Sequence, residues 1–280
     1  MNGRITVQDK GPKDHAHDDL FVFDDLTFLR REEMRASRLS LEFAKADLEL
    51  RDQGIKSTVV VFGSSRALTP RTAKRRVESA QGKKAIAAAK RLEELAIWYE
   101  EAREFGRIVS ERGGALSSEN GIRENIITTG GGPGIMEAAN RGASDAGAPS
   151  IGFNIRLPTE QRPNKFLTPE LSFDFHYFAV RKMHFAMRAN ALAVFPGGFG
   201  TMDELFEILT LKQTRKTPAM PVILFGRNYW KTIINFEVLA ESGAIDAHDM
   251  ALFEIVDSAE EGWEALVEHG LTAQTPLREA

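Results

Sequence analysis

The chain has 280 residues, a net charge of −4, and an ordinary globular balance of 42% hydrophobic and 27% charged residues. That length fits one large domain with an appendage, and the acidic balance is not that of a general polyanion binder. With no cysteine, disulfides, thiolate metal sites and a cysteine nucleophile are excluded.

The N-terminal stretch MNGRITVQDKGPKDHAHDDL is polar and lacks an apolar signal core. Residues 1–22 are expected to be a flexible tail, with His15 and His17 solvated rather than metal-bound. No apolar run approaches the roughly 20 residues of a membrane span, so a cytoplasmic protein with no membrane partner is expected. Leu26, Leu29, Met34, Leu41 and Leu48 recur at loosely helical spacing and predict a helix over 24–50, inside a helical N-terminal extension, 23–54. STVVVFGSS, residues 57–65, has the β-branched run of a buried parallel strand and stops at Gly63-Ser64-Ser65. Pro70 and the basic Lys74-Arg75-Arg76 mark a loop or a new helix start. Residues 83–112 predict one long helix ending at Gly113-Gly114. Further strands are expected near 125–129, 150–155, 191–195, 221–226 and 253–257. Further helices are expected at 134–146, 178–189, after Gly200, at 229–241 and at 259–269. A proline-containing loop and the aromatic segment LSFDFHYF separate the third strand from the helix at 178. Strands alternating with helices predict an α/β fold: a Rossmann-like doubly wound parallel sheet with helices on both faces. It would occupy 55–270 as the nucleotide-binding catalytic domain, with a C-terminal tail at 271–280.

Two glycine-rich turns carry the chemistry. The first is Gly130-Gly131-Gly132-Pro133-Gly134, followed by Ile135, Met136 and Glu137. Glycines admit positive φ and close approach of the backbone to a ligand, and a helix N-terminus offers free N–H groups and a favourable dipole to an anion. No Gly-Lys-Ser/Thr follows, so this is not a Walker loop, and the spacing of the dinucleotide fingerprint is absent. The second turn, Pro196-Gly197-Gly198-Phe199-Gly200-Thr201, leads into Met202-Asp203-Glu204. The amides of Gly198 and Gly200 with the Thr201 hydroxyl suit a phosphate. Glu204 is expected in the first turn of the helix, where the dipole favours a carboxylate and where plain capping is the alternative role. Two such turns at the carboxyl ends of strands point to one ligand crevice. Arg181-Lys182-Met183-His184 opens another helix. Arg181 is placed to pair with Glu204 or to bind ligand, Lys182 and Arg188 equally suit a solvated helix face, and His184 suits a packed position.

GGGPGIMEAAN, the Arg181-Lys182 pair and PGGFGTMDELFE occur in the order and approximate spacing of the LOG (Lonely Guy) family, whose members are often named lysine decarboxylases. Pro196, Gly197, Gly198, Gly200, Thr201 and Glu204 match its PGGxGTxxE pattern in full, and Gly63-Ser64-Ser65 matches its Gly-Ser-Ser. The resemblance covers roughly residues 57–245. It implies a phosphoribohydrolase that splits nucleoside 5′-monophosphates into free base and ribose 5-phosphate, with Arg181 and Glu204 as the catalytic pair. Gly63, Ser64, Ser65, Gly131, Gly132, Gly134, Met136, Glu137, Lys182, Gly197, Gly198, Gly200 and Thr201 would contact substrate or phosphate. It further implies no cofactor, no metal, no nucleic-acid partner, and a homo-oligomer, dimer or larger. The short plant-like form has Met-His before its Arg-Lys, where this chain has Phe178-Ala179-Val180. The long 67–112 segment, the N-terminal extension and GFNIRLPTEQRPN resemble the longer bacterial branch, which implies AMP-like substrates ahead of cytokinin riboside monophosphates. A non-catalytic nucleotide or molybdenum-cofactor carrier of the same fold is the alternative, disfavoured by the presence of both Arg181 and Glu204. Pyridoxal-dependent decarboxylation would need a lysine in a cofactor motif, and none is recognisable.

Overall fold

The computed structural model describes residues 20–116, 121–156, 162–217 and 219–271. The expected tails, 1–22 and 271–280, therefore lie outside the described residues except at 20–22 and 271, as do His15 and His17. The chain divides into two compact units, Met1–Glu42 and Phe43–Ala280. Where the sequence predicts one helix over 24–50, the structure has α1 (Leu26–Leu29), a 3-10 turn at Glu32–Met34, and α2 (Arg35–Asp52). Asp25 caps α1 by accepting the Phe28 N–H at 2.9 Å, and the Arg38 guanidinium donates to the Leu29 carbonyl at 2.7 Å. Hydrogen bonds from these side chains thus satisfy both ends of a helix too short to stand alone.

The second unit holds one all-parallel sheet of seven strands: β1 (Thr58–Phe62), β2 (Ile126–Thr129), β3 (Ile151–Ile155), β4 (Ser172–Phe175), β5 (Ala189–Val194), β6 (Val222–Phe225) and β7 (Glu254–Val256). Their order is β4-β3-β2-β1-β5-β6-β7. The chain winds outward from β1 to β4, then returns to the other side of β1 and winds outward again. The fold is doubly wound, with its switch point between β1 and β5. Val59 and Val61 join the core formed with α5 (Ala96–Arg112), α6 (Ile135–Asp145) and α11 (Ala259–Glu268). Phe62 meets Phe185 of α7 (Phe178–Met187) edge to face at 4.8 Å. Burial on both faces is why β1 is an unbroken buried run and not an alternating one.

Three local expectations change. The helix expected over 83–112 is two, α4 (Lys83–Glu94) and α5, preceded by α3 (Pro70–Ser79). Leu95 between them has φ −75° and ψ −16°, close enough to helical that apolar periodicity does not register the break. The helix expected over 229–241 is likewise α9 (Arg227–Ile233) and α10 (Phe236–Glu241), separated where Asn235 accepts the Val238 N–H at 3.1 Å and caps α10. The aromatic segment contains edge strand β4. Phe173 and Phe175 are buried against Phe153 while Asp174 is exposed, and Phe153 is the register partner of Phe173. The remaining long helix, α8 (Phe199–Gln213), follows β5.

Candidate active site

Gly63-Ser64-Ser65 leaves β1 at the centre of the sheet. The Ser64 N–H donates to the Pro196 carbonyl at 2.9 Å, and the Ser64 carbonyl accepts the Ile135 N–H at 3.0 Å. One backbone unit thereby joins both glycine turns, and the carboxyl ends of β1, β2 and β5 open into one crevice at the switch point. Gly134 has φ +74°, and a Cβ there would lie 2.3 Å from the Ser64 carbonyl oxygen. Only glycine lets the first turn dock on Ser64.

The first turn is sealed. The Thr129 hydroxyl oxygen accepts the Gly131 N–H at 3.0 Å, and the same hydroxyl donates to Asn140 Oδ1 at 2.7 Å. Asn164 Nδ2 donates to the carbonyls of Gly131 and Gly132 at 3.2 and 3.1 Å, and the Asn164 N–H donates to Gly131 at 2.8 Å. The second turn is open. Gly198, Phe199 and Gly200 are exposed, Phe199 at 96%, and no side chain caps α8 among the described residues. The first-turn amides of α8 therefore remain available to an anion. Behind the turn, Thr201 is buried and the Tyr229 hydroxyl donates to the Gly197 carbonyl at 2.5 Å.

A cavity of about 870 Å³ opens between the turns. Of the residues predicted from sequence, Gly63, Ser64, Ser65, Gly132, Met136, Arg181, Gly197, Gly198, Gly200, Thr201 and Glu204 line it. Gly131, Gly134, Glu137 and Lys182 do not. The Tyr99 hydroxyl donates to Glu137 at 2.9 Å, and the Lys182 ammonium bridges Asp203 and Glu207, each at 2.9 Å. The structure adds Arg66, Asn154, Arg162, Phe178 and Tyr229 to the lining. Asn154 comes from β3 and the others from separate loops and helices; Asn154 and Arg162 lie in the GFNIRLPTEQRPN segment and Phe178 just before Arg181, but only the fold brings them together with Arg66 and Tyr229.

Arg181 and Glu204 face the same space from different helices. Arg181 Nε donates to the Phe153 carbonyl at 2.8 Å, and the guanidinium lies over the Phe185 ring at 5.1 Å. A Cβ on Gly130 would sit 2.6 Å from Arg181 Nη2, so the glycine makes room for the guanidinium. Burial lowers the Arg181 pKa, and the Glu204 charge opposes that shift. Glu204 lies in the second turn of α8, beyond the first turn expected, so it neither caps the helix nor takes the full dipole. Glu204 is 7% exposed, and its carboxyl has no hydrogen bond or ion pair among the described residues. Of the two roles expected for Arg181, direct pairing with Glu204 is absent among the described residues, and their charges act through space. Burial pushes the Glu204 carboxyl up to about 7, against the pull of Arg181 and Lys182. A largely buried carboxyl without a partner is costly to the fold, and one whose pKa burial raises in a cleft is a candidate functional group.

Sequence comparison gives these residues a context. The family described as possible lysine decarboxylase matches residues 136–266, from the start of α6 into α11 and including both Arg181 and Glu204. A rice protein named as a probable cytokinin riboside 5′-monophosphate phosphoribohydrolase is 28% identical over 140 residues, 49% of this chain and 60% of its own length. A pyrimidine/purine nucleotide 5′-monophosphate nucleosidase of Escherichia coli K12 is 30% identical over 136 residues, 44% of this chain and 30% of its own length. These matches support a LOG-type domain over residues 136–266, just under half of the chain. The match spans less than two thirds of either relative. Among solved structures, a molybdenum-cofactor carrier protein from Chlamydomonas reinhardtii aligns at 20% identity and a TM-score of 0.46, over 76% of this chain and 97% of its own. A molybdenum-cofactor-binding protein from Rippkaea orientalis aligns at 17% and 0.45, over 77% and 96%.

Proposed function

We propose that this chain hydrolyses the N-glycosidic bond of nucleoside 5′-monophosphates, AMP-like ones first, releasing free base and ribose 5-phosphate. The observation that carries the reading is the buried, unpartnered carboxyl of Glu204 in a cavity that also holds the uncapped start of α8. The 5′-phosphate takes the Gly197–Thr201 turn, where amides and dipole favour an anion, with Ser64 and Ser65 beside it. Glu204 follows one turn further along α8 and faces the ribose. As the C1′–N bond breaks, positive charge gathers on C1′ and the ring oxygen. Ionised Glu204 stabilises that charge and takes a proton from the water whose oxygen bonds to C1′. The electron pair of the broken bond stays on the base nitrogen, which takes a proton from solvent as it leaves, and Glu204 gives the proton it accepted back to solvent, so that water supplies OH to C1′ and, in net, H to the base. Arg181, with its Nε held by Phe153, turns the end of its guanidinium to the nucleotide and to the departing base. The activities for which the rice and E. coli relatives are named, both on 5′-monophosphates, support this reading. Binding energy at the remote phosphate serves to place the ribose.

Incubating the protein with AMP, GMP, CMP, UMP and a cytokinin riboside monophosphate, and measuring free base, tests it. AMP is expected to be cleaved much faster than adenosine. Equal rates on both would remove the phosphate anchor, and tight nucleotide binding without base release would leave a carrier. Assembly as a homo-oligomer belongs to the same proposal, supported by exposed Phe178, Phe199 and Ile233 on the cavity lining. Light scattering at the 31.1 kDa of one chain would refute that part.

A further inference from the structure

Between Arg66 and Arg91 the sequence holds nine Lys and Arg and a single acid, Glu78, a local charge of +8 in a chain of net −4. The segment is built from α3 and α4, which pack on each other, and its flanks reach the cavity through Arg66 and Leu95. On α3 only Ala73 is buried, and Arg71, Lys74, Arg75 and Arg76 are exposed. On α4 only Ala89 is buried, and Lys83, Lys84, Lys90 and Arg91 are exposed. None of the nine cations forms an ion pair among the described residues.

The next helix treats its cations differently. On α5, Arg103 pairs with Glu100 and Asp145, Arg107 with Glu104 and Glu111, and Arg112 with Glu260. Like charges three and four residues apart destabilise a helix; on α3 Arg71 has that spacing to Lys74 and Arg75 against the single acid Glu78, and on α4 the acids Glu93 and Glu94 stand at the last turn, so the cations of α3 and of the first turn of α4 gain from an anion supplied from outside. A protein partner is disfavoured, because interface cores are apolar and depleted in Lys, and the one exposed large apolar side chain on these helices is Ile86. A membrane surface is disfavoured for the same reason, since an interfacial helix needs a wide apolar face. Beside its cations, α4 exposes the small Ala85, Ala87 and Ala88, which let a phosphate chain approach closely. Neither helix has an Asn or Gln to read base edges.

We propose that the α3–α4 hairpin is a docking surface for the phosphate backbone of a single-stranded nucleic acid, held by charge without sequence readout. A flexible strand can follow the cations of both helices to Arg66 at the cavity. The net charge that argues against a general polyanion binder averages over this segment. The proposal does not depend on the hydrolase activity.

Fluorescence anisotropy of a labelled 20-nucleotide oligo-U RNA, titrated from 50 to 200 mM KCl, tests it. Wild type is expected to bind at 50 mM salt with steep salt dependence. K83Q/K84Q/K90Q/R91Q is expected to bind at least about tenfold more weakly, with a log–log slope shallower by about 3, since each lost phosphate contact removes about 0.7. R107Q, which removes a paired cation, is expected to bind as wild type does. The thermal melt of the quadruple variant is expected to match wild type, because its four residues are exposed, and R107Q, which loses the pairs with Glu104 and Glu111, is expected to remain folded at the assay temperature. Absence of binding at 50 mM salt, undiminished binding by the quadruple variant, or an equal loss in R107Q would overturn the proposal. Equal affinity for a duplex of the same length would overturn the single-strand assignment, and capture by phosphatidylserine vesicles without RNA binding would assign the surface to lipid.

Discussion

The two glycine turns follow the same strand–turn–helix plan and end at opposite extremes of exposure. Around Gly130–Gly134 the donors and acceptors are taken by Thr129, Asn140, Asn164 and Ser64, and the turn is mostly buried. Around Gly197–Thr201 the glycines face outward and the helix start has no cap. In the first turn glycine is needed for packing: it leaves room for Ser64 and for the Arg181 guanidinium. In the second, only Gly197 is packed, where a Cβ would lie 2.1 Å from the Thr201 hydroxyl oxygen, and a Cβ on Gly198 or Gly200 would have no atom within 4 Å. Similar motifs can therefore divide the work, one as a wall of the crevice and the other as its receptor.

The sharpest challenge to that division is Glu204→Gln, on the receptor helix. It is expected to lower kcat about 10²–10³-fold with little change in KM. In wild type, kcat/KM should fall about tenfold per pH unit below about 7, where the carboxyl is protonated, and the variant should show no such limb. Near wild-type kcat in a folded sample would end the catalytic assignment. The same substitution should also raise stability. The folded-state pKa of Glu204 is raised, so its contribution is fully present below the unfolded value of about 4.5 and is lost as pH rises through about 7. At pH 8 the buried charge costs up to about 3 kcal/mol, and Glu204→Gln should melt higher than wild type there, with the gap closing by pH 4. A variant that melts lower at pH 8 would show that the carboxylate has a partner in solution.

In the wall, Gly134→Ala is expected to cost about 2 kcal/mol or more through its positive φ and the clash with Ser64. Asn164→Ala should cost about 1–2 kcal/mol by leaving buried carbonyls without donors. Denaturant melts measure both, and an unchanged midpoint in either would make the first turn less of a scaffold than its hydrogen bonds suggest. Gly198→Ala should have the smallest effect on folding, within about 0.5 kcal/mol, while raising KM for AMP. Unchanged KM would move the phosphate away from this turn.

Much of the fold was legible because its strands are buried on both faces and announce themselves as apolar runs, as TVVVF does. β4 was not, because an edge strand with Asp174 turned outward is short and half polar. Leu95 and Asn235 were missed for a different reason: the helix breaks there leave the apolar spacing nearly intact. Both glycine turns and Arg181 were legible as motifs, since a strand-to-helix turn needs its special residues adjacent in sequence. Tyr229 reaches the site from a distant helix and leaves no local signal, while Arg162 and Asn164 lie in the GFNIRLPTEQRPN segment, whose resemblance gave them no role. The position of Glu204 shows the limit from the other side. Its identity was legible, but its second-turn placement depends on α8 starting at Phe199, a boundary set by the turn itself.

The switch point also sets an order of assembly. β1 is the central strand, but one of its edges is filled by β5, which leaves the ribosome only after β2, β3 and β4 have emerged. A nascent chain can complete the β4-β3-β2-β1 half-sheet while the other edge of β1 stays bare, an aggregation-prone state for an apolar parallel strand. That half has one wall of the crevice and none of α8, so nucleotide cannot act as a folding template for it. Ligand rescue of misfolding variants should therefore act only after β5 and α8 have been made.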